Sequence, residues 1–132
     1  MGAEKVPVQL LGFDFGTKRI GVASGNRLLG TAQGLRTIAE QGDARFVAIG
    51  KLIQEWQPDA LVVGVPRHPD GQPHEMTQRA QRFAGQLRGR FKLTVLEVDE
   101  RYTSAEAQSQ GARDLDAASA ALILEQYFRE SP

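Results

Sequence analysis

With 132 residues and 16 Lys plus Arg balanced by 16 Asp plus Glu, the chain has zero net charge, so no overall field recruits nucleic acid or an acidic membrane and any polyanion site must be a local patch. The length suits one domain across residues 1–132 and is too short for two domains closing on a nucleotide. The absence of cysteine excludes disulfides, thiolate zinc sites and a cysteine nucleophile, and with no bilayer-length apolar run and no signal-like start the expected setting is the cytoplasm, away from membranes.

Residues 1–7 are expected to form a flexible N-terminus. Residues 8–15 read as a strand, Gly16-Thr17-Lys18 as a turn, residues 19–24 as a second strand, Gly25-Asn26-Arg27 as another turn and residues 28–35 as a third strand. Two tight turns in succession make an antiparallel meander, in which Gly12, Gly16, Gly21, Gly25, Gly30 and Gly34 point to close backbone approaches or bulges. Phe46, Ile49, Ile53 and Trp56 then share one helical face, with Asp43 as the expected N-cap and Pro58 as the stop. Ala60-Leu61-Val62-Val63-Gly64-Val65 is a continuous apolar run, the pattern of a strand buried on both faces. After a Pro/Gly-rich loop over residues 66–73, Met76, Ala80, Phe83, Ala84 and Leu87 mark a second helix expected to end at Gly89. Residues 93–98 read as the fifth strand. Thr103-Ser104-Ala105-Glu106 fits a capping box opening a short helix that Gly111 would end, and the last helix is expected over residues 115–129 with Asp114 as its cap.

A meander followed by helix, strand, helix, strand and helix predicts an α/β fold with a five-stranded mixed sheet flanked by helices, the first, fourth and fifth strands being parallel. Sites in such sheets form beyond the carboxyl ends of the parallel strands, which gathers Asp14, Arg67 and the Asp99-Glu100 pair at one edge. Asp14 sits in an otherwise apolar run, where an ionised carboxylate needs a partner, a proton or a metal. A turn role around Gly16-Thr17 is the plain alternative. Asp99 and Glu100 could be solvated residues before a helix N-terminus, and Asp116 could complement the dipole of the last helix. Asp116 nevertheless shares its helical face with Ala120, Ile123 and Tyr127, so that face is expected to pack toward the sheet. Strand alternation would send Asp99 and Glu100 to opposite faces, whereas a turn starting there would break that rule; Glu100 is slightly favoured, and Glu97 less so.

Carboxylates converging without thiolates or clustered histidines suit Mg²⁺ or Mn²⁺, and two such ions can activate a water and stabilise the leaving oxygen of a phosphodiester. Lys18, Arg19, Arg67 and Arg101 adjoin these carboxylates as candidate phosphate-binding residues. Arg79 and Arg82, one helical turn apart, could extend that track but read more readily as a solvated helix face. His68 and His74 lack metal-ligand spacing and are expected to be exposed, and Trp56 is expected in the core at a helix end.

Four ordered blocks make the reading more specific: Gly12-Phe13-Asp14-Phe15-Gly16-Thr17-Lys18-Arg19-Ile20-Gly21-Val22-Ala23; Val62-Val63-Gly64-Val65-Pro66 with Asp70-Gly71; Asp99-Glu100-Arg101-Tyr102-Thr103-Ser104; and Asp116-Ala117-Ala118-Ser119-Ala120. Over about residues 8–128 they resemble the successive motifs of the YqgF/RuvX family. The resemblance implies a ribonuclease H-like fold and a metal-dependent nuclease that processes the 5′ end of pre-16S rRNA in ribosome biogenesis. Resolution of Holliday junctions or other branched DNA, and a noncatalytic RNA- or ribosome-binding module, are the alternatives. By position, the family pattern makes Asp14, one of the Asp99-Glu100 pair and Asp116 the ligands of Mg²⁺ or Mn²⁺; Glu100 is taken as the ligand, with Asp99 a further candidate catalytic carboxylate. One departure is that Gly64-Val65-Pro66 ends the fourth strand where many ribonuclease H-like nucleases place an acidic residue. The implied partners are structured or precursor rRNA, branched DNA and the ribosomal subunit, for a monomer or homodimer. Gly12-Phe13-Asp14-Phe15-Gly16-Thr17 is also similar to the phosphate-binding hairpin of actin-like and sugar-kinase ATPases, but those proteins need two domains.

Overall fold

The computed structural model describes residues 6–68, 70–73, 75–100 and 115–130. In chain order the elements are β1 (Gln9–Phe15), β2 (Ile20–Asn26), β3 (Thr31–Ile38), α1 (Asp43–Trp56), β4 (Ala60–Pro66), α2 (Thr77–Phe91), β5 (Thr94–Glu100) and α3 (Leu115–Glu130). The strands form one five-stranded sheet in the order β3-β2-β1-β4-β5. β1, β2 and β3 pair antiparallel as a meander, and β4 joins β1 and β5 in parallel, as the alternation of elements predicts. Among the described residues no helix is long and apolar enough to cross a membrane.

Strand alternation sorts the side chains into two cores. On one face Leu11, Phe13, Val22, Leu61 and Val63 meet Ile49 and Leu52 of α1 and Phe83 and Leu87 of α2. Phe83 is the hub there, with ring centroids 5.9 Å from Phe13, 4.9 Å from Phe15 and 6.1 Å from Phe46. On the other face Leu10, Ala23, Ala60 and Val62 meet Ala120, Ile123 and Leu124 of α3. β4 is covered on both sides, which is why its sequence is a continuous apolar run.

The meander glycines serve the close approach of α3. A Cβ on Gly21 would overlap the Asp116 carbonyl, and one on Gly12 would stand 2.6 Å from Leu124 Cγ. At these glycines the helix therefore rests directly on the strand backbone. A register shift between Val22 and Ala23 supplies the bulge that the same glycine content suggested.

Several expected boundaries move, each for a local reason. The third strand starts at Thr31 and not at residue 28, because the turn is longer: Asn26 Oδ1 accepts the Leu29 N–H at 3.0 Å and Gly30 takes φ 68°. Leu28 and Leu29 are thereby left exposed at the turn. Gly42, at φ 60°, caps α1 in place of Asp43, whose carboxylate instead meets Arg90 Nη2 at 3.4 Å. α2 continues past Gly89 to Phe91, which packs against the core, and Lys92 closes it in the left-handed conformation. Pro7 is held, its carbonyl accepting Arg27 Nε at 2.9 Å, although it belongs to the stretch expected to be flexible. The expected helix over residues 103–111 and the Asp114 cap lie outside the described residues.

Two alanine substitutions separate the roles of glycine in this fold. Gly21→Ala should cost more than about 2 kcal/mol, because backbone has to move to admit the methyl group. Gly85→Ala, in α2 with nothing within 4 Å of its Cβ position, should add about 0.5–1 kcal/mol through helix propensity. Urea denaturation midpoints read both.

Candidate active site

Asp14 lies next to last in β1, and alternation points it to the α3 face, opposite its neighbours Phe13 and Phe15. In the sheet register it is flanked by Gly21 of β2 and Gly64 of β4. Neither flank carries a side chain, and each bare position is taken by another carboxylate-bearing residue. Over Gly21 sits the first turn of α3, which carries Asp116. Over Gly64 comes Glu100, whose Oε2 is 3.0 Å from where a Gly64 Cβ would stand.

β5 remains a strand through Glu100, so alternation separates the two acids that sequence alone leaves open. Glu100 turns to the α3 face and is buried at 8% exposure. Asp99 turns to the other side, where its 54% exposed side chain accepts Arg67 Nε at 3.0 Å. Glu97 also leaves the site, pairing with Arg88 at 3.0 Å. The structure thus brings together Asp14, Glu100 and Asp116 and leaves Asp99 apart from them.

Three negative charges converging on a buried position oppose ionisation. The Asp14 carboxyl is pushed up from 3.8 to about 8, first by burial, then by the charges of Glu100 and Asp116, and last by its hydrogen bond with Glu100, in which the protonated Asp14 donates. Asp116 is turned to Arg19, whose Nε lies 2.9 Å from its Oδ2.

The cations expected at this edge divide. Arg19 and Arg67 are engaged with Asp116 and Asp99. Lys18 is exposed on the β1–β2 turn, and Arg101 lies outside the described residues. That turn is braced from α1 and the residues before it: Gln41 Nε2 donates to the Lys18 carbonyl at 2.7 Å and Arg45 Nη2 to that of Thr17 at 3.0 Å. Arg45 escaped the sequence reading because its spacing to the turn, 28 residues, carries no local signal. Arg67 opens the following loop, its N–H donating to the Glu100 carbonyl at 3.2 Å. His68 is exposed as expected, and His74 is outside the described residues.

The donor set fits a hard divalent cation: oxygen ligands only, and a carboxyl forced to keep its proton by two like charges, which a cation would relieve. Among the described residues no three such groups already stand in a ligating arrangement, and Asp116 is engaged by Arg19.

A sequence-family profile described as "RuvX: Holliday junction resolvase" matches residues 8–130. A protein of Albidiferax ferrireducens named "Putative pre-16S rRNA nuclease" is 66% identical over 119 residues, covering 90% of this chain and 76% of its own length. One of the same name from Polaromonas sp. is 62% identical over 122 residues, covering 92% of this chain and 88% of its own. Among solved structures, Thermus thermophilus RuvC in complex with a Holliday junction superposes with a TM-score of 0.62 at 12% identity, covering 93% of this chain and 95% of that one. The yeast mitochondrial Holliday junction resolvase gives 0.58 at 13% identity, with 92% and 78% covered. At such identities the likeness establishes the fold, which is the ribonuclease H-like one expected.

The raised Asp14 carboxyl fixes the sign of a pH effect. The folded chain holds this proton to about pH 8, whereas the unfolded chain releases it near the ordinary 3.8. The associated stability is complete below the lower value and is lost as pH rises toward the upper one. In chelator, wild type should therefore lose stability between those limits while Asp14→Asn does not. At pH 8 the variant should be the more stable by at least about 1 kcal/mol, one pK unit being about 1.4 kcal/mol. Urea titrations across the pH range check this, and parallel curves for the two proteins would remove the basis for it.

Proposed function

The chain belongs to the RuvX family, and we propose that it is a divalent-metal-dependent nuclease that cleaves a phosphodiester in processing the 5′ end of pre-16S rRNA. The observation that carries this reading is the gathering of Asp14, Glu100 and Asp116 at one sheet edge, with the Asp14 carboxyl pushed up to about 8. Support for the substrate comes from the curated relatives, whose printed names give pre-16S rRNA.

Asp14, Glu100 and Asp116 would hold Mg²⁺ or Mn²⁺, which when bound supplies positive charge against the phosphate oxygens and acidifies an attacking water. The protein's own part is to keep these acids poised. The partial burial of Asp14 and the carboxylates beside it hold the proton on Asp14, which is given up when positive charge arrives. Arg19 is 63% exposed, and an exposed ion pair is worth only about 0–1 kcal/mol, so its guanidinium can leave Asp116 for a substrate phosphate at little cost. Lys18, on the same turn, adds a second cation. Asp99 steadies Arg67 for the same work. The zero net charge gives little general attraction for polyanions, which favours a substrate presented in the cytoplasm by a precursor ribosomal subunit over free RNA. The family description favours branched DNA as the second reading.

One assay addresses both. Wild type, Asp14→Asn, Glu100→Gln and Asp99→Asn are incubated with a precursor 16S rRNA 5′ end, single-stranded RNA and a four-way DNA junction, with Mg²⁺, Mn²⁺ or chelator. Asp14→Asn and Glu100→Gln should lower cleavage by on the order of 10²-fold or more, the size of loss when a charge-stabilising arrangement is removed. Asp99→Asn should stay within about threefold of wild type, since Asp99 turns away from the three acids and meets Arg67 in an exposed pair. Undiminished cleavage by Asp14→Asn would sink the site. Cutting of the junction in preference to RNA would select the second reading.

A further inference from the structure

On the face of the sheet opposite Asp14, a cleft of about 380 Å³ opens between α1 and α2, lined chiefly by Phe15, Thr17, Arg45, Phe46, Arg79 and Arg82. Its walls follow helix periodicity: Arg79 and Arg82 stand three apart on α2, and Arg45 faces them from the first turn of α1. The lining holds three guanidinium groups and no carboxylate.

That imbalance contrasts with the rest of the chain. Arg19, Arg36, Arg67, Arg88 and Arg90 each meet a carboxylate within 3.4 Å. Arg45 is held by neutral oxygens, those of Thr17, Glu40 and Gln41 backbone or amide groups. Arg79 and Arg82 are exposed and, among the described residues, take part in no ion pair or side-chain hydrogen bond. In a chain with zero net charge, three like charges converging without compensation make a local anion site.

The floor adds a second chemistry. Phe15 and Phe46 are half-buried in the cleft; the Arg90 guanidinium covers the Phe46 ring at 4.0 Å, and the Arg45 guanidinium lies 5.8 Å over the Phe15 ring. A phosphate alone would need only the cations, whereas cations beside aromatic faces suit a nucleotide, with phosphate on the arginines and base against the rings. The volume is that of a small-ligand pocket and does not admit a duplex. Position completes the argument. Phe15 follows Asp14 directly in β1, and Arg45 holds the Thr17 carbonyl of the turn that carries Lys18 and Arg19. A strand crossing the carboxyl end of β1 passes from the carboxylates to the cleft over that one turn.

We infer that the Arg45–Arg79–Arg82 cleft is a subsite for a single-stranded stretch flanking the phosphodiester to be cut, binding its backbone phosphates with one base against the exposed part of Phe15. The inference rests on the nuclease reading for the identity of the strand, but its own readout is binding. Both α2 arginines are exposed, so their replacement leaves folding intact.

The test is fluorescence anisotropy in chelator with a labelled, unstructured RNA of about 12 nucleotides, within the span that single-strand grooves cover. Wild type is compared with Arg79→Gln/Arg82→Gln and with Lys51→Gln/Arg129→Gln, which removes the same charge from exposed positions outside the cleft. The cleft variant should bind about tenfold or more weakly, and its slope of log affinity on log salt should fall by about 1.4, two phosphate contacts at about 0.7 each. The control should stay within about twofold of wild type. Equal losses in the two variants, an unchanged slope, or no RNA binding by wild type would each overturn the subsite. Wild type that binds through the cleft but cuts nothing would instead count against the nuclease reading alone.

Discussion

Asp14 is placed between two residues that have no side chains, and the rest of the site follows from that. Gly21 on one flank lets the start of α3 descend onto β2, which brings Asp116 within the field of Asp14. Gly64 on the other flank leaves open the surface over which Glu100 extends. Both gaps serve a structural end as well, since the same bare backbone seats α3 on the sheet and closes the second core around Ile123 and Leu124. The packing that stabilises the fold therefore also forces like charges together. A close-packed helix is the device that holds them in that costly arrangement.

Much of this was legible in the chain. The change from two-residue to helical periodicity gives the element order, and the helical crossovers then make β1, β4 and β5 mutually parallel. Asp14 announced itself as a charge in an apolar run. What the sequence could not decide was where β5 ends, and on that hung the choice between Asp99 and Glu100: only a strand that continues through both sends them to opposite faces. The β2–β3 turn was misread for a similar reason. Leu28 and Leu29 look like strand residues, but the capping of Leu29 by Asn26 outweighs their apolarity and leaves them outside the sheet. The meander glycines were correctly read as close approaches, although only the fold reveals that the approaching element is the last helix.

The arginines are organised more finely than a balanced composition suggests. Half of those described are matched to a carboxylate, including two at the edge that carries Asp14, so that edge presents restrained cations and not a freely exposed basic surface. Arg45, Arg79 and Arg82, which meet no carboxylate in those ion pairs, gather instead between α1 and α2. One sheet edge thus separates an acidic side under α3 from a basic side between α1 and α2, with β1 contributing Asp14 to the first and Phe15 to the second. Adjacent residues on a pleated strand are enough to produce that polarity.

The bare position at Gly64 has a further consequence for which acids can serve. β1 and β5 are not neighbours, and the backbones of Asp14 and Glu100 lie two strand spacings apart, about 9.5 Å. Glu100 is also paired with Pro66, two residues beyond the strand position opposite Gly64, so its side chain must cross a whole strand and lean back along it. An aspartate there would be one methylene short of the lane. Charge at position 100 is therefore insufficient by itself: the strand spacing sets a minimum length for the acid, and glutamate meets it because β4 puts no side chain of its own at Gly64, where Glu100 and Ile123 share the space.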